Sequence, residues 1–119
     1  MRWGAEMELL SRAASLILEK KGDRLALIDL RETSIPTDFF LIAEGENPIH
    51  VRAIAEHLMA KLPVSPRHTE GLADGRWVLL DYGDFVIHLF PREVRAFYDL
   101  EGIWPDRVVE GWSPPAPSV

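Results

Sequence analysis

Apolar residues recur every three or four positions in two stretches of the chain, and each stretch predicts an amphipathic helix. The first covers residues 5–21, with acidic residues in its first turn, lysines in its last turn and Gly22 as the expected stop. The second begins after Asn47, a residue type that caps helices, has Pro48 at its first position and ends at Leu62. The pattern therefore predicts two packed helices.

Short aliphatic runs predict strands between and after these helices. The runs at residues 25–30 and 38–43 are bounded by polar or glycine-containing turns and suit buried strands. A weaker candidate at residues 64–70 is interrupted by Pro66, which favours the edge of a sheet. Residues 76–90 are typical of a hairpin.

The C-terminal part is expected to open with a third helix that begins at Pro91, carries Val94, Phe97 and Tyr98, and ends near Gly102. The chain then becomes proline-rich. We predict one domain over residues 1–106 and a disordered tail over residues 107–119. The order of elements predicts an α/β protein, bordering on α+β, with a mixed sheet of about five strands packed with helices.

The predicted hairpin has two unlike faces. With Tyr82 and Gly83 as its two-residue turn, Asp81 is expected opposite Asp84 and Trp77 opposite His88. Alternation then gives one face only apolar residues, which suits a core: Val78, Leu80, Phe85, Ile87 and Leu89. The other face mixes apolar and charged residues: Trp77, Leu79, Asp81, Asp84, Val86, His88 and Phe90.

The mixed face is typical of an interaction surface, because a solvated face would hold fewer large apolar groups. A helix that covers Trp77 would explain the pattern nearly as well. A register shifted by one residue would exchange the two faces. The hairpin pattern alone leaves these alternatives open.

Composition narrows the class of partner. The chain has 119 residues, of which 47% are apolar and 27% charged, and this suits one folded domain. Nineteen acidic and thirteen basic residues give a net charge of -6, which disfavours direct binding to nucleic acid and favours a basic protein partner. Cysteine is absent, early acidic residues disfavour a signal peptide, and no apolar run approaches ~20 residues. We expect a cytoplasmic protein that does not enter membranes.

The pattern gives little support for catalysis. His50 and His57 lie seven residues apart on the second helix, too far for the i, i+4 pair that binds zinc. Asp81 and Asp84 flank a turn, where aspartate commonly has a structural role. No nucleophile-elbow, P-loop or dinucleotide-binding motif is present. We expect no catalytic residue, no metal and no cofactor.

A long series of residues in the C-terminal half is more specific. EGLADGRWVLLDYGDFVIHLF followed by REVRAFYDLEGIW resembles the Iojap family of ribosomal silencing factors, in which EG…GxWVLLDYGDxVxHxF precedes RxFYDLExLW. LALIDLRETSIPTDFFLIAEG is similar to the family's strand, polar turn and strand, and VRAIAEHL to its following helix. The likeness covers residues 5–106. It departs from the family pattern at GENPIH, residues 45–50, where G-x-S-x-x-Q is usual.

The resemblance implies a mixed sheet like that of the nucleotidyltransferases, in a binding factor rather than an enzyme. Family members bind ribosomal protein fourteen, a basic protein of the large subunit, and thereby prevent the small subunit from joining and repress translation, notably when nutrients run short. They also form homodimers, and organelle relatives assist ribosome assembly.

The resemblance also implies the residues that meet the partner: Trp77, Leu79, Asp81, Tyr82, His88, Phe90, Tyr98, Asp99 and Glu101. We expect Trp77 to be the hot spot of that surface and the two last acidic residues to meet basic side chains.

Two alternatives belong to other functional classes. A metal-dependent nucleotidyltransferase would need a Gly-Ser pair and clustered carboxylates, and the sequence offers neither around Asp29, Asp81 or Asp84. A homodimerisation module would pair the mixed hairpin faces of two copies. Self-association and partner binding would then compete for one surface.

Overall fold

The computed structural model of the protein describes residues 2–112. Within them the chain forms four helices, five strands and one 3-10 turn. In chain order these are α1 (Arg2–Glu19), β1 (Asp23–Asp29), β2 (Phe39–Gly45), α2 (Pro48–Lys61), β3 (His68–Glu70), β4 (Val78–Asp81), β5 (Phe85–Pro91), α3 (Arg92–Arg95), α4 (Leu100–Ile103) and the turn Pro105–Arg107.

The five strands form one sheet in the order β1-β2-β5-β4-β3. Strands β2 and β5 are parallel, and the other neighbours are antiparallel. The predicted class, a mixed five-stranded sheet packed with helices, is confirmed. The short strand β3 lies at the edge of the sheet, as expected from Pro66. The likeness to nucleotidyltransferases stays a prediction.

Both long helices end near the predicted positions. Asn47 caps α2, because its side-chain Oδ1 accepts a hydrogen bond from the His50 backbone N–H at 2.8 Å. At the end of α1 the left-handed residue is Lys21, with φ of +66°, and not Gly22 as expected. Glycine is needed there for space, since a Cβ on Gly22 would lie 2.3 Å from the Cγ2 atom of Ile17.

Helices α1 and α2 pack on one face of the sheet and form the larger core with it. The apolar face predicted for the hairpin lies in this core, as expected: Val78, Leu80, Phe85, Ile87 and Leu89. The opposite face carries a smaller cluster, which α3 and α4 cover with Val94 and Leu100. The mixed face of the hairpin belongs to this second side.

The hairpin turn lies one residue later than predicted. Gly83 and Asp84 form it, and the Tyr82 backbone N–H donates to the Phe85 carbonyl at 3.0 Å. Gly83 has φ of +89°, a conformation that glycine adopts without steric cost and that two-residue hairpin turns favour. The predicted pair of Asp81 with Asp84 is therefore wrong.

Strands β4 and β5 accordingly pair Leu79 with His88 and Asp81 with Val86. The predicted pair of Trp77 with His88 is also wrong. Because the register differs by two residues, which is one full repeat of the strand pattern, each side chain keeps its predicted face.

The expected helix from Pro91 to Gly102 is broken into α3 and α4. Asp99 starts the second helix, since its side-chain Oδ1 accepts from the Gly102 backbone N–H at 3.0 Å. Trp104 then packs edge-on against Phe40, with ring centroids 5.6 Å apart. The local capping by Asp99 explains why one continuous helix does not form.

The ordered chain extends past Asp106, where the sequence placed the domain boundary. Val108 forms an isolated antiparallel bridge with Ile28, and the Val109 N–H donates to the Leu27 carbonyl at 2.9 Å. Trp112 packs against the larger core. The rest of the predicted tail, residues 113–119, lies outside the described residues.

Candidate functional site

Trp77 stands at the centre of an aromatic cluster on the side of the sheet opposite α1 and α2. Its ring centroid lies 4.7 Å from that of Tyr98 and 5.0 Å from that of Phe90. Phe90 and Tyr98 are nearly parallel, with 15° between their planes. The Trp77 Nε1–H also donates to Nδ1 of His88 at 3.0 Å. Ring contacts and a directed hydrogen bond together hold the indole in one orientation.

We call this group the Trp77 patch: Trp77, Leu79, His88, Phe90 and Tyr98. It has two layers. Phe90 and His88 are buried beneath, Trp77 and Leu79 are partly exposed, and Tyr98 is 47% exposed. Helices α3 and α4 therefore cover the buried layer, and the layer with Trp77, Leu79 and Tyr98 remains open. The alternative that helices cover this face holds for the lower layer only.

His88 is neutral at physiological pH. Burial disfavours the charged imidazolium and lowers the pKa of His88 to about 4. Because Nδ1 accepts from Trp77, the ring proton resides on Nε2. Among the described residues this buried Nε2 has no hydrogen-bond partner, and the Phe40 ring packs edge-on with centroids 4.4 Å apart. His88 thus acts as an acceptor for the indole.

A groove of about 280 Å³ adjoins the patch, with Leu79, Val86 and Phe40 in its walls. Asp81 lies at its rim, as predicted for this face. The Asp81 Oδ1 accepts from the Gly83 backbone N–H at 2.7 Å and lies 3.4 Å from the Arg67 Nε. The carboxylate is partly exposed, and its first role in the structure is to close the hairpin turn.

Tyr82 does not join the patch. Its ring stacks on Phe85 with centroids 5.1 Å apart and packs against the larger core, on the opposite side of the sheet. Burial raises the pKa of the Tyr82 hydroxyl to about 12. Alternation along the strand accounts for this position, and it separates Tyr82 from the other predicted site residues.

Asp99 and Glu101 follow Tyr98 closely in the chain, and each already has a partner within the chain. Asp99 caps α4, as described above. The Glu101 Oε1 accepts from the Arg95 Nη2 at 3.0 Å. Arg95 in turn lies 3.5 Å from the buried carboxylate of Glu44. The two acidic residues therefore hold the segment that carries Tyr98 as well as offering charge at the surface.

Two exposed apolar residues that are close to Tyr98 in the chain are absent from the predicted site. Phe97 is 87% exposed and Ile103 is 61% exposed. The sequence predicts that Phe97 lies on one continuous helix with Val94 and Tyr98, but the helix ends at Arg95 and the Phe97 side chain is exposed. Its place in the FYDLE series was the available signal.

Three carboxylates converge elsewhere. One ligand atom each from Glu6, Asp38 and Asp84 lies within 4.8 Å of the others, and within residues 2–112 this is the one group of three or more potential metal ligands. The sequence showed no such cluster around Asp84, because the members come from distant segments. Arg31 is a cationic neighbour: its hydrogen-bonded partner Asp29 chiefly raises the pKa of Arg31, and Asp38 and Glu6 raise it further.

The four histidines do not form a metal-ligand group in the described chain. His57 pairs with Glu19 at 2.9 Å, His68 with Glu70 at 2.8 Å, and His50 with the Lys20 carbonyl at 2.6 Å. Within the same residues, no helix is both long enough and apolar enough to cross a membrane.

Comparison with known proteins gives a consistent result. The family model described as "Ribosomal silencing factor during starvation", RsfS, matches residues 5–117. The ribosomal silencing factor RsfS of Halalkalibacterium halodurans is 35% identical over 105 residues, which cover 86% of this chain and 90% of that protein. The mouse protein named mitochondrial assembly of ribosomal large subunit protein 1 is 28% identical over 107 residues, 85% of this chain and 46% of that one.

A crystal structure of a protein from Bacillus halodurans matches with a TM-score of 0.74 and 34% identity, over 87% of this chain and 98% of the other. The sequence resemblance and the fold thus agree. The chain belongs to the family of ribosomal silencing factors.

Proposed function

We propose that this protein binds the large ribosomal subunit through ribosomal protein fourteen, blocks association with the small subunit and so represses translation in the cytoplasm when nutrients are limiting. Family membership supports a silencing role. The name of the mouse relative refers to assembly of the large ribosomal subunit, which supports a partner on that subunit. The contact surface is the Trp77 patch.

The observation that carries the proposal is the two-layered packing of that patch. Trp77 is fixed from below by His88 and Phe90 and from the side by Tyr98. A rigid, partly exposed tryptophan loses little conformational entropy on binding and buries a large apolar area, the properties of a hot spot. His88 and Phe90 then support the contact from beneath, and Trp77, Leu79 and Tyr98 meet the partner.

Charge supports a basic partner. The chain carries a net charge of -6. Asp81 lines the same groove as Leu79 and His88, and Asp99 and Glu101 follow Tyr98 closely in the chain. Opposite charge on the partner would speed association and set its orientation more than it would raise affinity. We therefore assign affinity to the aromatic residues and orientation to the acidic ones.

The protein acts by binding and not by catalysis in this proposal. His88 is the one imidazole in the patch, and it is neutral, buried and hydrogen-bonded to Trp77. A general base needs access to the proton that it removes. His88 has instead the contacts of a structural residue.

A homodimer is the second candidate, because Phe97 and Ile103 are large exposed apolar residues close to Tyr98 in the chain. A second copy that covered them would compete with the ribosomal partner. The two states would then exclude each other at high protein concentration.

The proposal is tested by adding the protein to isolated large subunits, then small subunits, and measuring joined ribosomes by sedimentation. We expect co-sedimentation with the large subunit and fewer joined ribosomes as the protein concentration rises. Purified ribosomal protein fourteen should compete for the protein and restore joining. Binding without any loss of joining would contradict the steric mechanism, and failure of protein fourteen to compete would contradict the assigned partner.

A further inference from the structure

A polar pocket of about 480 Å³ lies near the carboxyl ends of the parallel strands β2 and β5. Its lining includes three guanidinium groups and three carboxylates: Arg24, Arg92, Arg95, Glu44, Asp99 and Glu101. In open α/β sheets, the region beyond the carboxyl ends of parallel strands is where ligands commonly bind. The volume is within the range of small-molecule sites.

The three arginines converge on Glu44, which is buried near the end of β2 with 2% of its surface exposed. The Arg92 Nε lies 3.0 Å from one carboxylate oxygen of Glu44, and the Arg95 Nη1 lies 3.5 Å from the other. The Arg24 Nε is 3.9 Å away. One buried anion thus holds three cationic side chains around the pocket.

The three arginines differ in how many of their guanidinium N–H donors already have an acceptor within the protein. Arg95 is largely buried, and its guanidinium reaches Glu44, Glu101 and the Arg24 carbonyl. Arg24 and Arg92 approach Glu44 through Nε, and their side chains are 73% and 60% exposed. Within residues 2–112, no protein acceptor lies within hydrogen-bond distance of the Nη groups of these two arginines. Each therefore presents free N–H donors.

The backbone also fixes Arg24 beside the pocket. Arg24 has φ of +52°, an uncommon conformation for a residue other than glycine. Its N–H donates to the Asp23 Oδ1 at 2.8 Å, and its carbonyl accepts from Arg95. Contacts on both sides of the residue thus maintain the left-handed backbone.

We propose that this pocket binds a phosphate-bearing anion, with phosphate oxygens accepting hydrogen bonds from the Nη groups of Arg24 and Arg92. The planar guanidinium group matches the geometry of phosphate. Arg24 and Arg92 each approach Glu44 through Nε alone, so their Nη donors remain for a phosphate. Glu101 and Asp99 already accept hydrogen bonds from Arg95 and from the Gly102 N–H. Because the lining has as many carboxylates as guanidiniums, directed hydrogen bonds and not net charge provide the affinity.

The phosphate has two conceivable sources, a free nucleotide-sized molecule or the backbone of RNA. The net charge of -6 disfavours a polyanion, so a small molecule is the expected ligand. This inference does not depend on the proposed function, since its phosphate-binding groups, Arg24 and Arg92, are not among the residues assigned to the ribosomal partner and its test requires no ribosome.

The test is a titration followed by backbone amide NMR shifts of Glu44 and Ala96, which line the pocket. Inorganic phosphate, ADP and an eight-nucleotide RNA are added separately at matched ionic strength, with chloride as the reference. We expect saturable shifts with phosphate and tighter saturation with ADP. Saturation with the RNA alone would instead assign the site to an RNA phosphate.

The double variant Arg24→Gln/Arg92→Gln should weaken the apparent affinity at least tenfold. Arg12→Gln/Arg76→Gln is the matched control, because it removes the same charge from two other exposed arginines. Circular dichroism establishes that both variants are folded. The proposal is overturned if none of the three ligands gives saturable shifts, or if saturation is the same in the two double variants.

Discussion

The Trp77 Nε1–H donates to Nδ1 of the buried His88 at 3.0 Å, and this bond joins the exposed layer of the patch to its buried layer. The donor is a partly exposed residue and the acceptor a buried one. Changes at His88 should therefore alter the orientation of Trp77 without removing any surface that a partner contacts.

Replacement of His88 by leucine tests this link. The substitution leaves the indole N–H without its acceptor, and we expect a loss of about 1 kcal/mol in the free energy of unfolding. Binding to the large subunit should also weaken, because the indole is no longer fixed. Urea unfolding and a binding titration measure the two effects. His68→Leu, at an exposed residue of β3, is the control, and equal losses in both variants would contradict the role of His88.

Stability should also depend on pH through His88. Its folded pKa of about 4 lies below the usual value of 6.5, so the unfolded chain binds more protons between these values. The contribution of neutral His88 to the free energy of unfolding is complete above pH 6.5. It is lost as the pH falls towards 4, by about 3 kcal/mol at most. Subtracting the pH profile of His88→Leu from that of the parent protein isolates this component, and a flat difference would contradict the neutral, buried state.

The hairpin shows what the sequence could and could not predict. Alternation identified both faces, because a buried face requires a period of two along each strand. The turn was missed because contacts from another part of the chain help to position it: the Thr37 hydroxyl donates to the Gly83 carbonyl at 2.9 Å, and the Asp38 N–H donates to the Asp84 carbonyl at 2.9 Å. Local turn propensity contains no information about such contacts.

The sequence also could not predict which residues of the patch are buried and which are exposed. Leu79 and Phe90 both lie on the mixed face, yet Phe90 is fully buried and Leu79 is not. The difference depends on where α3 and α4 pack, and the break between them depends on capping by Asp99. The family resemblance named all five residues of the patch, whereas periodicity alone gave only the face.

Glu44 should control the position of the C-terminal segment, because its carboxylate contacts Arg92 and Arg95 of α3. Glu44→Gln keeps the shape and removes the charge. We expect a loss of about 2 kcal/mol in stability, since Arg95 is largely buried beside it. Hydrogen exchange of the amides in residues 97–103 should become faster. Glu46→Gln, at an exposed neighbour, is the control, and unchanged exchange in Glu44→Gln would refute this role.

Phe97 should contribute to binding and not to stability. It is 87% exposed, so Phe97→Ala should change the free energy of unfolding by less than about 0.5 kcal/mol. Binding to the large subunit should weaken about tenfold if the partner covers this ring. Ile49→Ala is the control, because Ile49 is 70% exposed on α2, on the other side of the sheet.

The same variant separates partner binding from self-association. Loss of a dimer in sedimentation, with unchanged binding to the large subunit, would assign Phe97 to the homodimer. Unchanged behaviour in both assays would remove Phe97 from either surface.

The most direct measurement is the affinity of isolated large subunits for the parent protein and for Trp77→Ala, after circular dichroism has established that the variant is folded. Trp112→Ala is the matched control, because Trp112 packs on the helix side of the sheet. We predict a loss of about 2 kcal/mol or more for Trp77→Ala, roughly thirty-fold in affinity, and little change for the control. Equal affinity of the parent protein and Trp77→Ala would contradict the assignment of the binding surface to the Trp77 patch.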